Sequence, residues 1–207
     1  YKRQKLFFKK NKIANSLIYL SNNLYKGNFG NLSQQCTDFD ILKREIKLTK
    51  KVLIKTNKKV FFKTYPTINP RYDDADPIQD YLNDNSIDII HNKIDARYLL
   101  KKYCLILCGS ASSTLSWAVF SQNPIIFINY SDRAPLSKNV YQLFKKSFFC
   151  FNYNKKNFHK SLLDFINLPL KEINMLWASK NKNRKHFISE FISTENNIKL
   201  INFLEES

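Results

Sequence analysis

The chain has 207 residues, 43% hydrophobic and 14% aromatic, enough for the core of one large α/β domain. Lys and Arg number 34 against 17 Asp and Glu, a formal charge of +17, yet no uninterrupted apolar run reaches the about 20 residues of a membrane-spanning helix, and no charged-then-apolar start resembles a secretory signal. The basic excess is mostly Lys scattered through every segment beside abundant Asn, Ile and Phe, as AT-rich coding sequence writes whatever the function; with no C-x-x-C…H-x-x-x-H finger and no aromatic RNA-reading strand, nucleic acid is not the expected partner.

The chain therefore reads as soluble and cytoplasmic, with a basic surface that suits peripheral contact with an anionic membrane or a polyanionic acceptor. It starts at Tyr1 rather than Met, as a piece of a longer protein would, and residues 1–15 read as the tail of an upstream domain.

Ser16 to Leu20 reads as a strand, followed by a polar loop, Ser21 to Gly30. A helix is expected from Asp38 to about Thr56, capped by Thr37 or Asp38, with Phe39, Leu42, Ile46, Val52 and Leu53 near helical spacing. Lys59 to Lys63 is the second strand, ending at Tyr65-Pro66, and a short helix is expected over Pro77 to Leu82. Ile87 to Ile90 is a third strand, and Asp95 can cap a helix through Ala96, Leu99 and Leu100. Tyr103 to Cys108 is a fourth strand, Ser112 to Phe120 a helix, Pro124 to Asn129 a fifth strand, Val140 to Lys146 a helix and Phe148 to Phe151 a sixth strand. Only helical patterns follow Lys155, including Phe158-Leu162-Phe165-Ile166 and Leu176 through Leu204.

Strands of four to six continuous apolar residues suit a sheet buried on both faces. Separated by helices, they predict right-handed βαβ units in a parallel, doubly wound α/β sheet. The core of this unit spans residues 16–168, with C-terminal helices over 169–207. Cys36, Cys104, Cys108 and Cys150 show no metal or redox spacing. Cys104 and Cys108 would stand on one strand about 13 Å apart, too far for a disulfide, so buried free thiols are expected.

In such a sheet ligands bind beyond the C-terminal ends of the strands. The sharpest junction there is Cys108-Gly109-Ser110-Ala111-Ser112-Ser113-Thr114. Gly109 allows a tight exit and close backbone approach, and the hydroxyls open a helix whose free N–H groups and dipole favour phosphate. Four hydroxyls in five positions exceed what capping one helix requires. The second junction is Lys63-Thr64-Tyr65-Pro66-Thr67, with a cation at the strand end. Arg71 and Tyr72 follow within reach of a base or a second phosphate, and Asp73, Asp74 and Asp76 read as a solvated loop, with a metal site or a base as the alternative. Among His91, His159 and His186, only His91 falls on the ligand-bearing edge and merits testing as a base. No G-x-S-x-G, no G-x-x-x-x-G-K-S/T and no G-x-G-x-x-G is present, which argues against a hydrolase, an NTPase and a dinucleotide dehydrogenase.

The run Lys63-Thr64-Tyr65-Pro66-Thr67, the run Ser110-Ala111-Ser112-Ser113-Thr114-Leu115-Ser116-Trp117 and the following Asn123-Pro124-Ile125-Ile126 resemble the C-terminal, donor-binding domain of GT-B bacterial surface-polysaccharide glycosyltransferases. The resemblance is closer to surface carbohydrate biosynthesis transferases, which carry K-x-Y-P-T and S-x-x-S-T-L-x-W. Ile173 to Trp177 with Arg184 and Phe187 is similar to their closing helices. The resemblance covers roughly residues 16–191 and implies half of a GT-B architecture with a Rossmann-like sheet.

It also implies a nucleotide-sugar donor, touched by Lys63 and by the serine motif Ser110, Ser112, Ser113 and Thr114, and a glycan or lipid-linked acceptor; Tyr65, Arg71 and Gly109 join the expected donor set from their places at the two junctions. No cofactor and no metal are implied. Tyr65 stands where better-known families have His, and a Tyr hydroxyl is neutral at working pH. His91, Asp95 and Arg97 are the candidates for catalytic groups, though in GT-B enzymes the base often lies in the other domain. The alternatives are a non-catalytic basic module for anionic glycan or nucleic acid, and an epimerase or polyol-phosphate transferase of the same architecture.

Overall fold

The computed structural model describes residues 12–21, 38–64, 77–85, 87–90, 94–132 and 135–192. The expectations placed on Cys36, Tyr65, Pro66, Arg71, Tyr72, Asp73, Asp74, Asp76 and His91 lie outside those residues, as do most of the loop after the first strand and the pattern beyond Ile192.

Six strands form one parallel sheet: β1 Ser16–Leu20, β2 Lys59–Lys63, β3 Asp88–Ile90, β4 Leu105–Cys108, β5 Ile125–Asn129 and β6 Phe149–Asn152. Their order is β3-β2-β1-β4-β5-β6. β1, β4 and β5 occupy the middle and are buried along their whole length, whereas β3 and β6 at the edges are partly exposed. Burial on both faces is why the central strands read as unbroken apolar runs. Pro124 stops short of β5, having no N–H for the ladder, and its carbonyl accepts the N–H of Ile106 at 3.0 Å.

The helices are α1 Asp38–Lys51, α2 Pro77–Asp84, α3 Ser113–Phe120, α4 Lys138–Ser147, α5 Phe158–Ile166, α6 Leu170–Ser179 and α7 Asn181–Phe191. α1 packs against α2 and α5, and α4 against α7. The expected doubly wound, Rossmann-like α/β sheet is what forms.

Two local expectations change. α1 ends at Lys51, and a 3-10 turn, Leu53–Lys55, completes it. Its buried side is Ile41, Glu45, Leu48 and Val52, while Phe39, expected on the apolar stripe, is 69% exposed. The segment after Asp95 is two 3-10 turns, Ala96–Tyr98 and Leu100–Lys102, instead of an α-helix. Its buried residues Ala96, Leu99, Leu100 and Tyr103 keep the three- and four-residue spacing of the expected helix, but the backbone takes the tighter 3-10 turn.

The C-terminal helices close the core with rings. Trp177 lies 5.7 Å from Phe149 and 6.4 Å from Phe148, and its Nε1 donates to the Gln122 carbonyl at 2.9 Å. Arg184 stacks 3.8 Å from the Trp177 ring centroid and Phe187 packs edge-on against Phe144 and Phe148. Burial pulls the Arg184 guanidinium down to about 10. Trp177, Arg184 and Phe187 therefore form one packed unit.

Candidate functional site

The strand order reverses direction at β1 and β4. A switch point of this kind between β1 and β4 is where an open α/β sheet receives ligands. Ser21 follows β1 at this point and Gly109 follows β4.

At the β4 exit, Gly109 sits against the ring of Tyr130: a Cβ placed on it would come within 2.4 Å of Tyr130 Cε2. Its missing side chain thus makes room for a buried tyrosine, in addition to the tight exit expected. Ser110 is half-buried, Ala111 and Ser112 are exposed, and α3 begins at Ser113. Ser112 is the N-cap in extended conformation, and its carbonyl accepts the Leu115 N–H at 2.9 Å, but its side chain makes no capping hydrogen bond. The first-turn N–H groups of α3 therefore lack the usual side-chain acceptor.

At the β2 end Lys63 is only 2% exposed and donates from Nζ to the Thr64 carbonyl at 2.7 Å. Burial lowers its ammonium to about 8, and the Asp95 carboxylate pulls the other way. Asp95 accepts from Arg97 N and Nε at 2.9 Å and from its Nη2 at 2.6 Å. Burial raises the Asp95 carboxyl, but its bonds to Arg97 outweigh that and leave it below the ordinary value. A carboxylate so engaged is a weak proton acceptor. The Arg97 guanidinium lies 5.1 Å from the Trp117 ring centroid, which ties this network to α3. The fold thus links Lys63, Asp95 and Arg97 to the helix of the serine turn.

Four residues near this edge carry no signal in the sequence. Glu45, 1% exposed, accepts from the Ser21 hydroxyl at 2.8 Å and the Tyr19 hydroxyl at 3.2 Å, fixing α1 to the end of β1. Arg44 pairs with Asp132 at 2.5 Å, and its guanidinium lies 5.6 and 5.4 Å from the ring centroids of Tyr130 and Tyr153. The aromatic faces compensate for its Nη1, which is buried with no hydrogen-bond partner.

Cys104, Cys108 and Cys150 are free, and burial pushes the thiols of Cys108 and Cys150 up to about 12, so neither is a nucleophile at neutral pH. Among the described residues no group of three or more His, Cys, Asp or Glu is placed to hold a metal ion, and no helix is long and apolar enough to cross a membrane.

The sheet, its strand order and its flanking helices make this a Rossmann-like α/β fold of the kind found in GT-B glycosyltransferase domains. Among solved structures, the spinosyn rhamnosyltransferase SpnG is similar with a TM-score of 0.50 at 13% identity, over 96% of this chain and 47% of that one. The same enzyme complexed with thymidine diphosphate gives 0.49 at 13% identity, over 94% and 46%. The spinosyn forosaminyltransferase SpnP gives 0.47 at 11%, over 86% and 42%. The chain thus spans less than half the length of these enzymes. No protein-family model matches the sequence, and no curated protein matches it.

Proposed function

We propose that this chain is the donor-binding half of a GT-B glycosyltransferase, taking a nucleotide-sugar and serving surface-polysaccharide or glycan synthesis. The observation that carries the reading is Ser112: an exposed N-cap serine whose hydroxyl caps nothing, at the point where the strand order reverses. The donor diphosphate lies across the N–H groups that open α3, with the hydroxyls of Ser110, Ser112, Ser113 and Thr114 adding neutral donors. Lys63, Tyr65 and Arg71 supply the rest of the donor set.

Catalysis is electrostatic. Negative charge grows on the diphosphate as the sugar–oxygen bond breaks, and the α3 N-terminus and nearby cations stabilise it. Lys63 remains mostly protonated at neutral pH with its ammonium at about 8. Asp95 and Arg97 hold each other, and Asp95 keeps Lys63 cationic, so the group that activates the acceptor lies elsewhere, beyond these residues. The acceptor is a glycan or a lipid-linked glycan, as the motif resemblance implies.

Calorimetric titration with UDP, GDP, TDP and CMP tests this. At least one should bind, and Ser112→Ala with Ser113→Ala should weaken that nucleotide about tenfold, or ~1.4 kcal/mol, with the thermal midpoint unmoved. Equal affinity in the double variant overturns the site.

A further inference from the structure

Helix α1 carries an outer row that the core does not use. With Ile41, Glu45, Leu48 and Val52 buried, Phe39, Lys43, Lys47 and Lys50 fall at the three- and four-residue spacings that align on the opposite face. The three lysines and Lys51 are exposed. Phe39 at the start of this row is 69% exposed, and Ile54, in the 3-10 turn at its end, is 40% exposed. On the neighbouring α5, Lys160 is exposed, as are Lys155 and Lys156 just before it.

These cations share one field. The His159 imidazole on α5 is held below its ordinary value by burial and then by Lys47 and Lys51, so the potential between the two helices is positive. The acids on the two helices are Asp38, Asp40, Glu45 and Asp164, of which Glu45 is buried and Asp40 half-buried.

We propose that this face, the row from Phe39 on α1 to Ile54 in the 3-10 turn after it, with the lysines on and just before α5, docks the protein on an anionic lipid bilayer. Charge complementarity selects the partner: each Lys beside an anionic leaflet contributes severalfold in affinity, and the row supplies them within one helix length. The exposed aromatic and aliphatic side chains at its two ends favour a bilayer over a purely polar polyanion, because they gain only by entering the acyl boundary between headgroups. Nothing in this inference depends on the donor site, since the face belongs to the helical layer and not to the β4–α3 turn.

Flotation of the full chain with phosphatidylcholine vesicles, with and without phosphatidylserine, is the test. Binding should require phosphatidylserine and should fall as salt rises. Lys43→Glu/Lys47→Glu/Lys50→Glu should weaken it about 100-fold. Phe39→Ala/Ile54→Ser should weaken it about tenfold and leave the salt dependence unchanged. All these side chains are exposed, so thermal midpoints and nucleotide affinity should match the parent, which separates this result from the donor-site test. Absence of binding to phosphatidylserine vesicles, or either variant binding as the parent does, overturns the proposal. So does tighter binding to single-stranded RNA or heparin that ignores Phe39→Ala/Ile54→Ser, which would make the lysines a polyanion site.

Discussion

Two successive strands, β4 and β5, run into helices at the same edge of the sheet, and each helix has a serine at its N-cap. Ser137, before α4, accepts the N–H of Val140 at 3.4 Å, so its hydroxyl serves the helix. Ser112, before α3, accepts none and faces outward. The same residue in the same place is used by the fold in one turn and left unused in the other. The difference shows where polar capacity is available to a ligand, and it falls at the strand-order reversal, where the topology independently places a binding crevice. The two lysines of β2 also differ in their surroundings. Lys59 at its start is exposed and pairs with Asp88 at 3.1 Å, whereas Lys63 at its end is buried and bonded to the chain beside it.

The largest expected effect tests whether Lys63 is committed to the fold. Its folded ammonium titrates near 8 against an ordinary 10.5. Between those values the unfolded chain binds the proton and the folded chain does not, so raising pH favours the folded state. Below pH 8 the buried charge opposes folding in full. Lys63→Met removes this dependence: the stability gap between variant and parent should shift by about 3 kcal/mol between pH 7.5 and 10.5. Urea unfolding at several pH values measures it, and a constant gap would mean that Lys63 is solvated.

Next in size is Gly109→Ala. The added methyl would meet Tyr130, a ring 4% exposed and held by Tyr153 at 5.1 Å. Overpacking of this kind costs about 1–3 kcal/mol. Tyr130→Ala has its own cavity cost, but in its background the glycine change should be nearly neutral, and a double-mutant cycle reads the coupling. Additive effects would detach the β4 exit from Tyr130 and reopen the question of why the glycine is there.

All six strands were legible in the sequence because a sheet covered on both faces demands unbroken apolar runs, and Ser16–Leu20 or Ile125–Asn129 can do little else. The serine turn was legible because it lies within one stretch of chain. Sequence reading failed where the deciding contact is remote. The inward side of α1 contains Glu45, which a search for apolar periodicity passes over; of the expected stripe, Val52 and Leu53 are buried, Leu42 and Ile46 pack partly buried against the core, and Phe39 is exposed. Glu45 is buried only because Tyr19 and Ser21, on β1, donate to it. Lys63 is buried and Lys59 exposed, though the two lysines of the strand look identical in sequence. The crossover after Asp95 has the apolar content and the spacing of an α-helix, and nothing in that pattern distinguishes the two 3-10 turns that form.

The smallest effect bears most directly on the comparison of the two turns. Replacing an N-cap serine with alanine ordinarily costs about 1 kcal/mol, because an N–H of the first turn loses its acceptor. For Ser137→Ala the Val140 bond is long, so about 0.5–1 kcal/mol is expected. For Ser112→Ala no capping bond exists to lose, and the change should stay within about 0.5 kcal/mol, as for an ordinary surface substitution. Urea midpoints of the two variants, compared without ligand, decide it. If Ser112→Ala destabilises as much as Ser137→Ala, the hydroxyl caps α3 in solution, and a ligand phosphate would have to displace that bond in order to bind. If the two differ as expected, no N-cap side chain competes for the first-turn N–H groups of α3 before a donor arrives.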